Sequence, residues 1–189
     1  MLVNGITIID TFAEAFPMRA TRLIITAFNA EWAMHGAVSM TGFATSVIAC
    51  GCEAAVETTL SADKTPDARP GVSVLIFAVS SKELAKQVEN RVGQCILTCP
   101  TSSVFNGMAT GKEIPLAKNL RFFGDGWQIS KVIKGKRYWR VPTMDGEFVG
   151  EETANYNTAI GGGNILILAR DIKSALYISE LGVKEINNL

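Results

Sequence analysis

Four cysteines in two close pairs, Cys50 with Cys52 and Cys95 with Cys99, are the first residues here whose types and spacing could do chemistry. Neighbouring thiolates can hold zinc or an iron–sulfur cluster, but such sites favour C-x2-C or C-x4-C, and these spacings are C-x-C and C-x3-C. The surroundings are apolar: Val47, Ile48 and Ala49 precede Cys50, and Ile96 and Leu97 follow Cys95. Free cysteine behaves as a small hydrophobe, so core thiols are expected and no metal. His35 is the only histidine, too few for a site that needs two. The triplet Gly161–Gly162–Gly163 precedes an apolar run and lacks the Lys-Ser/Thr ending, so it is not a phosphate loop. A turn or a close backbone approach suits it better.

Three other stretches carry chemistry-bearing side chains. "KVIKGKRYWR" (131–140) crowds Lys131, Lys134, Lys136, Arg137 and Arg140 around Tyr138 and Trp139. With 18 basic against 18 acidic residues and a net charge of zero, that run is not a nucleic-acid signature. An anionic small molecule is a better partner for it. "CPTSSVFNG" (99–107) and "RFFGDGWQ" (121–128) set hydroxyls, amides or a carboxylate beside aromatics and glycines, a mix that binding loops use.

The elements that must position these residues follow from periodicity and turn chemistry. "VNGITIID" signals a hairpin through Asn4-Gly5, and Thr11 with Glu14 has capping-box spacing for a short helix ending before Pro17. "TRLIITAF" reads as a buried strand. "EWAMHGAVSM" reads as a helix burying Ala33, Ala37 and Met40. "TSVIACGCEAAVETT" reads as a strand bent at Gly51, and "VSVLIFAV" as a central strand. "SSKELAKQVENRVGQCIL" is a helix with Ser81 as its candidate cap. A strand near Leu120–Phe123 would complete β-α-β-β-α-β. That is the split βαβ of an α+β, ferredoxin-like fold, an antiparallel sheet with two helices on one face. Residues from 119 onward read as a β-meander extension, and "AIGGGNILILARDIKSALYISELGVKEI" as a glycine loop, a strand and a helix that begin a second, similar unit.

No run of about 18 apolar residues is present, so no membrane span is expected. The N-terminal "MLVNGITIIDTFAEAF" lacks a basic leader and carries Asp10 and Glu14, so it does not read as a secretory signal. A cytoplasmic location follows, and a reducing compartment argues against disulfides.

Taken together, "NGITIIDTFAEAF" (4–16), "ATRLIITA" (20–27), "TGFATSVI" (41–48), "TPDARPGV" (65–72), "GQCILTCPTSSVFNG" (93–107), "RFFGDGWQ", "MDGEF" (144–148) and "GGGN" (161–164) resemble formylmethanofuran–tetrahydromethanopterin formyltransferase. "MRATR", "CGCE" and "NLRFFGDGWQISK" look closer to the form in methylotrophic bacteria. The resemblance implies transfer of a formyl group between the amine of methanofuran and N5 of tetrahydromethanopterin. It implies no metal or prosthetic group, two ferredoxin-like lobes, and a homo-oligomer binding both coenzymes in clefts near subunit contacts. The family chain is roughly half as long again. The expected division is therefore 1–143, the first lobe, and 144–189, the truncated start of the second. A glutamate tied to acid–base work in the family falls in the part not present and is carried onto no residue.

Formyl transfer between amines passes through a tetrahedral oxyanion, needing donors for that oxygen and an acid for the departing nitrogen. Asp125 and Glu147 are the expected acids, or holders of the pterin ring nitrogens. Thr101, Ser102 and Asn106 are the expected donors. Phe123 and Trp127 would flank the pterin, and Lys136 or Arg137 would meet methanofuran's carboxylates. The alternative is a non-catalytic subunit that scaffolds a formyltransferase/hydrolase complex or binds coenzyme only.

Overall fold

In the computed structural model, which describes residues 2–3, 6–7, 9, 15–144, 146–162, 166–186 and 188, the chain opens with strands β1 (Leu2–Val3) and β2 (Ile6–Thr7). They pair antiparallel, as the Asn-Gly signal requires. The turn itself and the expected helix at Thr11–Glu14 lie outside the described residues. Strand β3 (Phe16–Thr26) follows, then helix α1 (Ala30–Thr41), the single turn α2 (Val47–Cys50), strands β4 (Glu53–Leu60) and β5 (Gly71–Ala78), and helix α3 (Ser81–Arg91). Strands β6 (Ser103–Asn106), β7 (Lys112–Pro115), β8 (Ile129–Ile133), β9 (Lys136–Thr143), β10 (Gly146–Glu151) and β11 (Thr153–Gly161) complete a nine-stranded mixed sheet. Helix α4 (Ile172–Ile186) comes last.

The sheet runs β4-β5-β3-β6-β10-β9-β8, every neighbour antiparallel except the parallel pair β6 and β10. Central strand β3 is shared. Arg19–Thr26 lie against β5 on one side; on the other, Leu23–Thr26 pair with β6 and Phe16–Thr21 with β11. Alternation along the strands sorts the two faces. Leu23 and Ile25 of β3 face the same way as Val72, Val74 and Val104, and α1 and α3 cover them with Ala33, Ala37, Met40, Leu84 and Val88. Each aliphatic side chain fully buried in this layer contributes about 1.5–3 kcal/mol.

The helices start where their caps dictate. Asn29 accepts the Trp32 N–H at 2.9 Å, and Ser80, one residue before the expected cap, accepts that of Glu83 at 3.2 Å. Past Arg91 the helix widens into a π turn, Val92–Ile96, closed by the Leu97 N–H on the Val92 carbonyl at 2.9 Å.

Two expected strands are corrected. Residues 47–50, read as strand, form α2, because Ser46 accepts the Ile48 N–H and Gly51 then turns the chain left-handed; the strand starts only at Glu53. Leu120–Gly124 is a 3-10 turn rather than the closing strand. Leu120 drops into the core while the Arg121 guanidinium lies over the Phe122 and Trp139 rings, 4.3 and 5.0 Å from their centroids, an arrangement that an alternating strand could not make. The fourth strand of the βαββαβ succession is β6.

Cys52 is buried in the core, Cys95 packs against it, and Cys50 and Cys99 are half-buried; none of the four is joined in a disulfide. Gly161 closes β11 over Met18, whose sulfur occupies the place a Cβ would need. Gly163–Ile165 lie outside the described residues, and Leu166–Ala169, the described part of the expected strand there, is not regular. Phe16–Gly161 is one compact unit, and Met1–Ala15 with Gly162–Leu189 another. The strands after Thr143 thus belong to the same sheet as those before it. In the smaller unit, α4 is capped by Asp171, which accepts the Ser174 N–H at 2.9 Å and the Ser174 hydroxyl at 3.0 Å.

Candidate functional site

The sheet face opposite α1 and α3 carries polar side chains at the alternate positions. Register aligns Thr26 with Ser103, Ser103 with Val149, Val149 with Arg140 and Arg140 with Ile129, one row across five strands. At the inner end of the row the loop "TPDARPG" folds over the sheet. Arg69 donates from Nε to Asp67 at 2.8 Å, from Nη1 to the Thr101 carbonyl at 2.6 Å, and from Nη2 to Ser103 Oγ at 2.6 Å and Thr26 Oγ1 at 3.1 Å. The Thr26 hydroxyl donates in turn to Asp67 Oδ2 at 2.7 Å. Asp67 Oδ1 is buried and has no hydrogen-bond partner among the described residues.

This network floors an apolar cavity of about 420 Å³, walled by Phe105, Ile133, Tyr138 and Val149. Lys131, Arg140 and Glu147 stand at its exposed rim, where Arg140 Nε meets Glu147 at 2.7 Å.

A second cavity, about 560 Å³ and polar, opens where β6 and β11 part company along β3. Asn106 bridges the parting. Its Oδ1 accepts the N–H groups of Met108 and Asn155, and its Nδ2 donates to the Met108 carbonyl. Glu151, only 5% exposed, accepts the Asn106 N–H at 3.1 Å and the Lys136 ammonium at 2.8 Å. That carboxylate pushes the Lys136 pKa above its ordinary value, chiefly through the hydrogen bond. Burial raises the neighbouring Tyr138 phenol, and the charge of Glu151 adds to it. Glu152 accepts the Trp139 indole N–H at 3.2 Å and lies 3.7 Å from Arg137 Nε. Both cations of this cavity are therefore already matched to carboxylates.

The expected site residues fall into separate places. Asn106, Lys136 and Arg137 come together in the polar cavity, while Glu147 stands at the rim of the apolar one. Ser102 is buried, with its hydroxyl donating to the Ile96 carbonyl. Thr101 has a left-handed backbone (φ 63°), and its hydroxyl accepts the Phe28 N–H at 3.0 Å. Phe123, Asp125 and Trp127 sit on the exposed 120–128 turn, where Asp125 is left-handed (φ 47°) and Trp127 is 81% exposed. Asp67, Arg69, Glu151 and Glu152 were missed as site residues. In the sequence, "DAR" stands only within "TPDARPGV", one of the stretches that carry the resemblance, and nothing in "GEFVGEE" marks one glutamate as buried. His35 is exposed, edge-on to Trp32 and 3.7 Å from Glu31. Among the described residues no three metal-ligating side chains cluster, and no helix is long and apolar enough to cross a membrane.

The sequence model of the formylmethanofuran–tetrahydromethanopterin formyltransferase family matches residues 1–143. The chain belongs to that family. The formyltransferase of Methylococcus capsulatus is 59% identical over all 189 residues. This formyltransferase-family chain spans 63% of the length of that relative. Among solved structures, the formyltransferase/hydrolase complex from Methylorubrum extorquens, determined with methylofuran, superposes with a TM-score of 0.96 at 45% identity, over 99% of this chain and 63% of that one. The formylmethanofuran:tetrahydromethanopterin formyltransferase from Methanosarcina barkeri superposes with a TM-score of 0.90 at 42% identity, again over 99% and 63%. Kinship is thus closer to these bacterial relatives than to the archaeal one.

Proposed function

We propose that this chain takes part in formyl transfer between the amine of methanofuran and N5 of tetrahydromethanopterin, both serving as coenzyme substrates in one-carbon metabolism. The observation that carries the reading is 59% identity to a formyltransferase across every residue of the chain. In such a transfer the attacking nitrogen bonds to the formyl carbon and loses its proton. The C–N bond to the departing nitrogen then breaks as that nitrogen gains one. The chain must position a formyl oxygen, an acid and two coenzymes.

Glu147 is the acid–base candidate best supported here, since it is exposed at a cavity rim and able to exchange its Arg140 contact for a substrate nitrogen. Asp125 is the second, with Phe123 and Trp127 beside it as ring-stacking surfaces for the pterin. Thr101, Ser102 and Asn106 serve as oxyanion donors only by exchanging their present partners. Lys136 and Arg137 line the polar cavity as the coenzyme-binding cations of that wall. A ferredoxin-like lobe is supported by the order β4-β5-β3-β6 with α1 and α3 on one face. The division into a first lobe over 1–143 and the start of a second over 144–189 is supported by the extent of the family match. A place in a formyltransferase/hydrolase complex is supported by the Methylorubrum relative, which is named as a subunit of one; a homo-oligomer is what the family resemblance implies. A cytoplasmic location is supported by four cysteines that stand outside disulfides.

The test is formyl exchange between the two coenzymes by the purified chain, alone and with the remaining family segment supplied separately, in wild-type, Glu147→Gln and Asp125→Ala forms. Turnover that falls at least tenfold in Glu147→Gln supports the reading. Unchanged kinetics in either variant removes that residue from the machinery.

A further inference from the structure

We propose that Cys50 and Cys52 form a reactive dithiol, a modification site at which a low-molecular-weight disulfide is reduced and a Cys50–Cys52 bond is formed. The two thiols flank Gly51, which is left-handed at φ 76°. A left-handed residue folds the chain back as a helical turn does, so the flanking α-carbons fall well short of the roughly 7.6 Å of two full steps. That brings them into the window of about 4.4–6.8 Å that a disulfide spans. Gly51 also rests on α3, where the Gln87 amide nitrogen stands 2.4 Å from the place a Cβ would take.

The two thiols differ as an attacking and a resolving thiol must. Cys50 ends α2, a turn that buries none of its residues, and is itself partly exposed. The Ser46 backbone chiefly, with Thr45 and the Arg91 charge, holds its thiol below the ordinary cysteine value. Cys52 is wholly buried, its sulfur 3.5 Å from Gln87 Oε1, and burial pushes its thiol above that value. Arg91 serves both. It donates to Gln87 Oε1 at 3.1 Å and to the carbonyls of Met40, Gly42 and Phe43 at 2.6, 2.8 and 3.1 Å. It has no carboxylate in an ion pair with it among the described residues, so its charge is left to favour a thiolate.

The exchange balances. The Cys50 thiolate attacks one sulfur of the small disulfide, whose S–S bond breaks, and the first small thiol leaves with the electron pair and gains a proton from water. Cys52 then gives up its proton and attacks the Cys50 sulfur, expelling the second small thiol. Two electrons and the two thiol protons thus pass from the chain to the small disulfide. A ring closed over a single residue is strained, so the bond is readily reduced again. Closure also draws Cys52 away from Gln87, just ahead of β4. Such a bond is of the transient kind that reducing compartments allow.

The test incubates wild-type, Cys50→Ser, Cys52→Ala, Cys95→Ser and Cys99→Ser chains with oxidised glutathione at neutral pH. Folding is checked by circular dichroism, and products are read by intact mass and peptide mapping. Wild type should lose two hydrogens, with the link mapped to Cys50 and Cys52, and dithiothreitol should restore them. Cys52→Ala should instead keep one glutathione on Cys50, because nothing resolves it. Cys50→Ser should react about tenfold more slowly, while Cys95→Ser and Cys99→Ser should close the link within about twofold of the wild-type rate. Wild type and Cys50→Ser decide the matter even if the buried substitution is not tolerated. A glutathione that persists on Cys50 of wild type, or lodges first on Cys95 or Cys99, overturns the assignment. So does a Cys50 that does not react.

Discussion

Replacing Lys136 by methionine strips the Glu151 carboxylate of its ammonium partner while leaving it almost wholly buried, with the Asn106 N–H as the donor that remains among the described residues. Breaking a fully buried pair costs about 3–5 kcal/mol. Lys136 itself is half-exposed, with 52% of its side chain accessible, so screening cuts the loss to about 1–2 kcal/mol. For a chain of this length that is a fall in Tm of about 3–6 °C. Glu151→Gln keeps the shape and the Asn106 contact, and the lysine is free to turn to water. The double variant removes the stranded charge, so it should be about 1 kcal/mol more stable than the two single losses sum to.

The pH dependence has a definite sign. Because the folded-state pKa of Lys136 is raised, the pair contributes in full below the ordinary lysine value of about 10.4 and is lost only as pH rises through the higher folded value. Urea unfolding of the four chains at pH 6 and pH 8 should therefore give the same gap. A gap that collapses between those pH values, or strictly additive single variants, would refute the placement of this pair in a buried wall.

Three further outcomes can be checked on the same material. Gly150→Ala sets a methyl 2.4 Å from the Ala117 Cβ and 3.2 Å from the buried Phe148 ring, and should cost about 1–3 kcal/mol by thermal melting; an unchanged Tm would mean that this contact gives way freely. Glu57, held by Arg22 at 2.5 Å and by the Ser73 hydroxyl at 2.6 Å, has its pKa lowered chiefly by the Arg22 hydrogen bond. Its contribution is present above the ordinary glutamate value of about 4.3 and lost as pH falls through the lowered folded value. Wild type should thus lead Glu57→Gln by under about 1 kcal/mol at pH 7, both partners being partly exposed, and the lead should close in acid denaturation. Overnight dialysis against EDTA should leave the Tm unchanged, and a drop would reopen the cysteines as metal ligands.

The helix-covered face of the sheet was legible in the sequence because burial there is periodic. "TRLIITAF" and "VSVLIFAV" are apolar enough to declare central strands, and Leu84 and Val88 repeat at helical spacing. Strand β6 was not legible. It is four residues long and includes Ser103 and Asn106, whose side chains bind a loop and bridge a parting, so its composition is that of a turn. The aromatic run at 120–123 misled for the complementary reason, since Phe122 and Phe123 are apolar yet exposed. At the site, the cations of the β8–β9 hairpin were visible as a basic cluster, but which of them is free depends on β10. Register alone sets Glu151 opposite Tyr138 and within reach of Lys136, and no local spacing encodes a partner fifteen residues away.

The sharing of β3 between two partners on one side has a consequence for synthesis. The half of that edge nearest the N-terminus waits for β11, and the Thr21 hydroxyl for the Asn155 carbonyl 134 residues later. At ribosomal speeds of roughly 5–20 residues per second, that edge is made on the order of 10 s before its partner emerges. Through that interval a nascent chain presents one side of a half-zippered strand, with β5 and β6 in place and the backbone of Phe16–Thr21 unclaimed. Crowded polysomes bearing this message would hold many such edges at once, so slow or stalled translation, more than heat, is the stress under which this fold should recruit chaperones.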